Sequence, residues 1–173
     1  MASPLRSLSP FWPLLAAVAS AVMLGAAHAF ESFGHLPPCE LCLHQREVYW
    51  VALAVGLAGF GLGRALKNPL LVNLASLLLG VIFLFGAVLA AYHAGVEWKW
   101  WPGPQSCTGG GAVSADALAG LLKGDRIARP SCDQAAWRML GVSMAGWNAL
   151  VSLALAGISF KAMGARRRGL DPA

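Results

Sequence analysis

Long uncharged hydrophobic runs alternate with short polar connections along most of the chain. Four runs reach the length of about 20 residues that a helix needs to cross a hydrocarbon core of about 30 Å. The second run is apolar only over residues 48–63, and it reaches full length if its helix begins around Leu41 or Cys42. The predicted transmembrane spans are residues 11–30, 42–66, 70–92 and 141–163.

The composition supports a membrane protein. Of the 173 residues, 57% are hydrophobic and 12% are charged, and the mean hydropathy is +0.60. A soluble domain carries about 25% charged residues and cannot solvate this much apolar surface. Disordered, collagen-like and coiled-coil chains are excluded as well. We therefore expect an all-α membrane protein with one domain over residues 1–173, folded as a four-transmembrane-helix bundle.

On one side of the predicted bundle the tails and short connections are basic, whereas on the other side the five basic residues of the long segment are nearly balanced by four acidic ones. Because Lys and Arg resist translocation, the basic side and both termini are expected to be cytoplasmic. The loops 31–41 and 93–140 are then extracytoplasmic, and the net charge of +5 indicates orientation and not nucleic-acid binding. The basic residues of the expected cytoplasmic side are Arg6, Arg64, Lys67, Lys161, Arg166, Arg167 and Arg168.

The N-terminal segment also resembles a signal peptide. Arg6 precedes an apolar run that ends at Ala27-His28-Ala29, which fits an A-x-A cleavage pattern. The run is longer than a typical signal core, so we interpret it as the first span. Cleavage would leave the remaining three spans in the same orientation.

All four cysteines lie in the two loops that are predicted to be extracytoplasmic. Cys39 and Cys42 are in the first loop region, and Cys107 and Cys132 are in the second. Two spans separate these loops, so the cysteines share one side, in a compartment where disulfides persist. Four cysteines allow three pairings, and the spacing leaves all three open.

The first pair forms a C-x-x-C motif, which closes too small a ring to be useful as a staple. Pro37 and Pro38 keep the approach extended, so Cys39 and Cys42 can start a helix whose dipole favours thiolate. Arg46 follows Cys42 by four residues, which puts it on the same helix face, where it can stabilise a thiolate or a reduced acceptor. The alternative is that Arg46 is an interfacial anchor.

The second pair encloses 24 residues that begin with a glycine triplet, Gly109 to Gly111. Both a static disulfide and a mobile exchanging cysteine fit this arrangement. A zinc site is not expected, because C-x-x-C is only half of a zinc knuckle and C-x24-C does not complete it. The haem motif C-x-x-C-H is absent, although His28 and His93 at the span ends leave axial haem ligation open as an alternative.

Two dithiol pairs on one face of a small bundle favour an electron relay. No flavin or nicotinamide fingerprint occurs in the sequence, so a lipid-soluble quinone beside Cys42 and Arg46 fits best as the acceptor. The second span also carries glycines that are typical of close helix packing and not of nucleotide binding. These glycines are Gly56, Gly59, Gly61 and Gly63.

Several motifs together resemble the disulfide bond formation protein B (DsbB) family. They are Pro38-Cys39-Glu40-Leu41-Cys42 followed by Arg46, the run from Tyr92-His93 to Trp101-Pro102 before Cys107, and Cys132 leading to Trp137. The resemblance extends from the first span to the last and excludes the cytoplasmic tails.

This resemblance implies a protein of the bacterial inner membrane whose cysteine-bearing loops face the periplasm. Such a protein reoxidises a thioredoxin-fold dithiol oxidase of the DsbA type and passes the electrons to ubiquinone or menaquinone. Cys107 would be attacked by the partner, Cys132 would exchange with Cys39, and Cys42 would face the quinone. All four cysteines are therefore candidate catalytic residues.

The resemblance also implies two residues of the quinone site. Arg46 matches the quinone-site arginine of the family, and His93 falls where the family has a histidine near that site. Ser114 to Leu122 corresponds to a loop helix that lies on the membrane. Glu97 has no role that the sequence assigns.

Three other functions fit parts of the sequence. A vitamin-K-epoxide-reductase-like enzyme also combines four helices, two cysteine pairs and a quinone, but its C-x-x-C typically lies near the fourth helix. A non-enzymatic scaffold would use both disulfides to stiffen the loops, and a haem-binding electron carrier would show a Soret band. The order of the motifs favours the relay.

Overall fold

The computed structural model describes residues 9–104 and 131–167, the side chains of 164–167 excepted. After a short 3-10 turn, Ser9–Phe11, this part of the chain forms four long helices and one small hairpin. The helices are α1 (Trp12–Ser32), α2 (Glu40–Ala65), α3 (Pro69–Glu97) and α4 (Met144–Arg167). Strands β1 (Arg138–Met139) and β2 (Val142–Ser143) pair antiparallel just before α4, with Arg138 opposite Ser143.

The described part of the chain is mostly helical, as predicted, with one short hairpin that the sequence did not predict, and the chain has helices of a membrane protein. Three segments of the described residues are long and apolar enough to cross a membrane: Ser9–Ser32, Glu40–Ala65 and Pro69–Glu97. Helix α4 covers most of the fourth predicted span. The count of four spans and the orientation of the loops remain predictions.

Two helix starts have clear local causes. Cys39 caps α2 in an extended conformation, and its sulfur accepts a hydrogen bond from the Cys42 N–H at 3.3 Å. Asn68 caps α3 by accepting from the Leu70 N–H, and Pro69 occupies the first turn, where its missing N–H costs nothing. Both cysteines of the C-x-x-C motif therefore lie in the first turn of a long helix, as predicted.

Helix α3 continues beyond the end of the predicted third span at residue 92. It runs on to Glu97 through Ala94, Gly95 and Val96, which are all buried. His93 consequently lies on a helix and not in a loop. Since four residues separate His93 from Glu97, the two side chains share one helix face.

The helices pack in chain order, α1 on α2, α2 on α3, and α3 on α4. A hydrogen bond of 2.9 Å from the Trp12 indole to the Ser159 hydroxyl joins α1 to α4. Leu79 and Phe83 of α3 are fully buried in the core of the bundle. The bundle is thereby closed around α3, and its cysteine-bearing end lies where α2 begins and α3 finishes.

The glycines of α2 allow close helix approach at three of four positions. A Cβ atom at Gly56 would lie 2.5 Å from the Pro13 carbonyl oxygen, and one at Gly59 would overlap the Ala75 methyl group. A Cβ atom at Gly63 would collide with Val72. The packing prediction is confirmed for these three and is wrong for Gly61, where the space is open.

Candidate active site at the start of the second helix

The Cys39 and Cys42 side chains form a free dithiol at the N-terminus of α2. Their sulfur atoms are 2.7 Å apart, and Cys39 is 5% exposed while Cys42 is half-buried. The hydrogen bond to Cys42, together with burial, raises the pKa of the Cys39 thiol well above its ordinary range. Either sulfur can donate in this contact, and the raised pKa favours the proton on Cys39.

Cys132 lies directly against this dithiol. It is disulfide-bonded and 1% exposed, and it packs with Cys39 and Leu41 in one buried cluster. Because Cys39 and Cys42 are both free, the disulfide of Cys132 joins neither of them. Cys107 and the candidate loop helix Ser114 to Leu122 lie outside the described residues.

His93 connects the dithiol to its surroundings. Its Nε2 atom is 3.7 Å from the Cys39 sulfur, and its Nδ1 atom is 2.8 Å from the side-chain nitrogen of Gln45. The Cys132 backbone carbonyl also interacts with the ring. The side chain is 4% exposed. His93 therefore contacts Cys39 and Cys132, and Cys42 lies next to Cys39.

A chain of buried polar side chains from α2 and α4 holds the His93 ring. Tyr49 donates to the Asn148 carbonyl at 2.5 Å, and the Asn148 amide donates to the Gln45 carbonyl at 2.5 Å. The Gln45 nitrogen then has His93 Nδ1 as its acceptor. With these amides oriented as in the structure, the ring proton is on Nε2, which faces Cys39.

Arg46 lies in the second turn of α2 and contacts α1. Its guanidinium donates to Glu31 at 2.5 Å and to the Ala27 carbonyl at 3.1 Å, and its side chain is 15% exposed. Two fixed acceptors hold the group beside Cys42, on the wall of one cavity. An interfacial anchor that reaches for water would not be held in this way.

Glu97 is the acidic side chain that the sequence left without a role. Its Oε1 atom is 3.8 Å from His93 Nε2, and its side chain is 5% exposed. Its Oε2 atom is buried with no hydrogen-bond donor among the described residues. Such an atom is costly in a folded protein, so it marks a position with a special task.

These groups line a cavity of about 390 Å³ at the cysteine-bearing end of the bundle. Its polar lining includes Cys39, Cys42, Arg46, His93 and Glu97. Most of the remaining wall is apolar and comes from α1, α4 and the segment before α4. Apolar wall residues include Met23, Leu24, Phe30, Trp137 and Val151.

The two sulfurs and a ring nitrogen of His93 lie within 4.8 Å of one another, the range in which side chains share a metal ion. Two sulfurs on a tetrahedral zinc ion, with zinc–sulfur bonds of about 2.3 Å, would be separated by about 3.8 Å. The observed 2.7 Å between the sulfurs is much shorter. The geometry therefore favours a dithiol that can close to a disulfide.

Sequence reasoning missed Gln45, Asn148 and Glu97. Polar residues inside or at the end of apolar helices are rare and face protein or cavities, which is the signal that was present for all three. Gln45 follows Cys42 by three residues and Glu97 follows His93 by four, so helical spacing already put each beside a candidate site residue.

Comparisons with known proteins identify the family of this chain. The family described as "Disulfide bond formation protein DsbB" matches residues 9–162. "Disulfide bond formation protein B" of Dechloromonas aromatica (strain RCB) is 30% identical over 138 residues, 75% of this chain and 76% of that protein. "Uncharacterized protein RP370" of Rickettsia prowazekii (strain Madrid E) is 25% identical over 138 residues, 79% of this chain and 77% of that protein. The chain belongs to the DsbB family of disulfide bond formation proteins.

Proposed function

We propose that this membrane protein is a thiol:quinone oxidoreductase that reoxidises a periplasmic dithiol oxidase of the DsbA type. Electrons enter through Cys107 and Cys132, pass to Cys39 and Cys42, and leave to ubiquinone or menaquinone. Its cysteine-bearing loops face the periplasm, and both termini are cytoplasmic.

One observation carries this proposal. The free Cys39–Cys42 dithiol opens into an apolar cavity whose wall also holds Arg46 and His93. A dithiol that only stiffened a loop would need neither the cavity nor the charged group. An electron donor that serves a lipid-soluble acceptor needs both.

The residues of the cavity suit a quinone. A quinone head group is a flat apolar ring with two carbonyl acceptors, which matches apolar walls and a few hydrogen-bond donors. The Arg46 guanidinium and the Nε2–H of His93 are the donors, and both lie close to the dithiol. A bound quinone supplies the chemistry of a two-electron, two-proton acceptor.

The protein's own groups prepare Cys42 as the reactive sulfur. Cys42 lies in the first turn of α2, where the partial positive charge of the helix end favours negative charge on sulfur. The protonated Cys39 thiol donates to it, and the Arg46 charge lies nearby. Nucleophilic sulfur is required for both disulfide exchange and electron donation.

The contact between Cys132 and Cys39 supports the order of the relay. The partner's thiolate attacks Cys107, the Cys132 thiolate leaves, and this thiolate attacks Cys39 and displaces the Cys42 thiolate. Because Cys132 already packs on Cys39, the exchange between the loops needs little movement. The structure corresponds to the state in which the inner pair is reduced and Cys132 is disulfide-bonded again.

The test is anaerobic mixing of the purified protein with a reduced DsbA-type dithiol protein and a soluble quinone. We expect quinol with the wild type and none with Cys42→Ser. The variant Cys107→Ala should stop oxidation of the partner. Quinol from Cys42→Ser, or no quinol from a folded wild-type protein, would contradict the proposal and favour a scaffold with static disulfides.

A further inference from the structure

We propose that Glu97 holds the second proton of the reduced Cys39–Cys42 pair, so that Cys42 is a thiolate while Glu97 is a carboxylic acid. This proton leaves when the pair is oxidised. The inference rests on the proposed function only in taking a quinone as the acceptor of the electrons. The location of the proton does not depend on the proposed function.

The surroundings of Glu97 favour its neutral form. Its side chain is 5% exposed, and Oε2 has no donor within the described residues. The nearest ring nitrogen, His93 Nε2, is 3.8 Å from Oε1, which is too long for a hydrogen bond. The Ser143 hydroxyl hydrogen-bonds the carboxyl group, but Oε2 has no partner in the described part of the chain, so a buried carboxylate here is still costly, whereas a carboxylic acid is less so.

The surroundings of Cys42 favour its charged form. The helix start, the Cys39 thiol and the Arg46 guanidinium all stabilise negative charge on this sulfur. Glu97 interacts electrostatically with both cysteines. Two negative charges at short range in a buried site repel strongly, so one proton is shared between Cys42 and Glu97. Cys42 has the helix start, a thiol and a guanidinium beside it, whereas Glu97 has the Ser143 hydroxyl and an oxygen without a partner among the described residues, so the proton is assigned to Glu97.

His93 cannot hold this proton in the arrangement of the structure. Its Nδ1 atom faces the donating nitrogen of Gln45, and its Nε2 atom already carries the ring proton. Protonation of Nδ1 would require the Gln45 amide to turn and give up its bond with Asn148. Glu31 is committed as well, because it binds Arg46. Glu97, whose Oε2 atom has no hydrogen-bond partner among the described residues, is an open acceptor.

Other charged groups near Glu97 do not reverse this assignment. Cys39 and Cys42 face it from the start of α2, and His93 is on its own helix. Arg138 and the Ser143 hydroxyl approach from the hairpin. Arg138 is exposed, so solvent screens its charge.

The step balances in atoms and electrons. The reduced site holds one proton on Cys39 and one on Glu97. On oxidation the Cys39 S–H bond and the Glu97 O–H bond break, and a bond forms between the two sulfurs. Two electrons and two protons leave, which is the amount that a quinone takes up on becoming a quinol. Glu97 is then a carboxylate.

The test counts protons without quinone or partner. Purified full-length protein is equilibrated near neutral pH with a dithiol–disulfide buffer, and the redox state of Cys39 and Cys42 is read by alkylation and mass spectrometry. After correction for the buffer's own protons, the wild-type equilibrium constant should change about 100-fold per pH unit, which corresponds to two protons. Glu97→Gln should change it about tenfold, because only Cys39 then takes up a proton, and each tenfold step equals about 30 mV.

Two matched variants complete the design. Glu97→Asp keeps a carboxyl group and should retain the two-proton dependence. Glu47→Gln removes an exposed carboxylate on α2 that pairs with His44, and it should behave as wild type. In redox-difference infrared spectra, the carboxylic-acid band of the reduced form should be absent only from Glu97→Gln.

A two-proton pH dependence in both the wild type and Glu97→Gln would overturn the inference, because Cys42 would then hold the second proton itself. A one-proton pH dependence in the wild type would overturn it equally. Either result leaves quinol formation by the wild type untouched, so the two proposals can fail separately.

Discussion

Two acidic side chains contact groups of the site, one at Arg46 and one beside His93, and they differ in burial and in their partners. Glu31 is 39% exposed and binds Arg46 at 2.5 Å, whereas Glu97 is 5% exposed and has one oxygen without a donor. A carboxylate that binds a guanidinium positions that partner. A buried carboxyl group with one oxygen that has no partner favours its protonated form. The same chemical group therefore positions Arg46 in one case and stores a proton beside the dithiol in the other.

Apart from loss of the cysteines, the largest effect on quinol formation is expected from removing Arg46, the cation of the Arg46–Glu31 ion pair. Arg46→Met removes the charged donor and leaves Glu31 unpaired. Loss of a charged hydrogen bond costs about 1.5–3 kcal/mol, so quinol formation should fall about 10- to 100-fold. Disulfide exchange with the partner should change much less. Equal loss of both activities would remove Arg46 from the quinone site.

The next largest effect is expected from Gln45, which contacts His93, the neighbour of Glu97. Gln45→Leu removes the group that faces His93 Nδ1 and binds Asn148. It should lower stability by about 1–3 kcal/mol, because buried polar atoms lose their partners, and slow quinol formation about tenfold. Thermal unfolding and nitrogen NMR of the His93 ring measure the two effects.

Asn148→Leu supplies the control for Gln45→Leu. Because Gln45 and Asn148 belong to one hydrogen-bonded chain, their effects should not add in the double variant. Full additivity, or an unchanged His93 spectrum in Gln45→Leu, would show that the chain does not position the ring.

A smaller effect is expected from removing the charge of Glu31, the anion of the Arg46–Glu31 ion pair. Glu31→Gln keeps a hydrogen-bond acceptor for Arg46 and removes only the charge. The ion pair is partly exposed and worth about 1 kcal/mol, so quinol formation should fall about fivefold. The two-proton dependence of the dithiol should remain. A change to one proton in Glu31→Gln would mean that the roles of Glu31 and Glu97 are reversed.

The smallest redox effect should come from the half of α2 that is far from the cysteines. Gly59→Ala forces a methyl group against Ala75 and should destabilise the protein by about 1–3 kcal/mol without slowing quinol formation in the folded protein. Gly61→Ala on the same helix meets open space and is the matched control. Equal thermal midpoints for the two variants would contradict the packing of α2 on α3.

The long helices and the position of the C-x-x-C motif could be predicted from sequence. An apolar run of sufficient length has one stable form in a membrane, and Pro37 and Pro38 put the start of α2 at the cysteines. The place of Arg46 followed from helical spacing. These features depend on local sequence, and local rules were sufficient for them.

The polar contacts between helices could not be predicted. Gln45 and Asn148 meet only because α2 and α4 both pack around α3, and one sequence does not reveal which helix faces touch. The extension of α3 to Glu97 was missed because polar residues begin at His93. Tertiary burial of Ala94 and Val96 keeps that last turn helical.

The most direct test of the central claim is a single turnover without partner. Reduced, quinone-free protein is mixed anaerobically with one equivalent of a soluble quinone, and quinol and the free thiols of Cys39 and Cys42 are counted. We expect one quinol to form and two thiols to disappear per chain, with neither change in Cys42→Ser. Thiols that persist in a folded wild-type protein, with no quinol formed, would contradict the account.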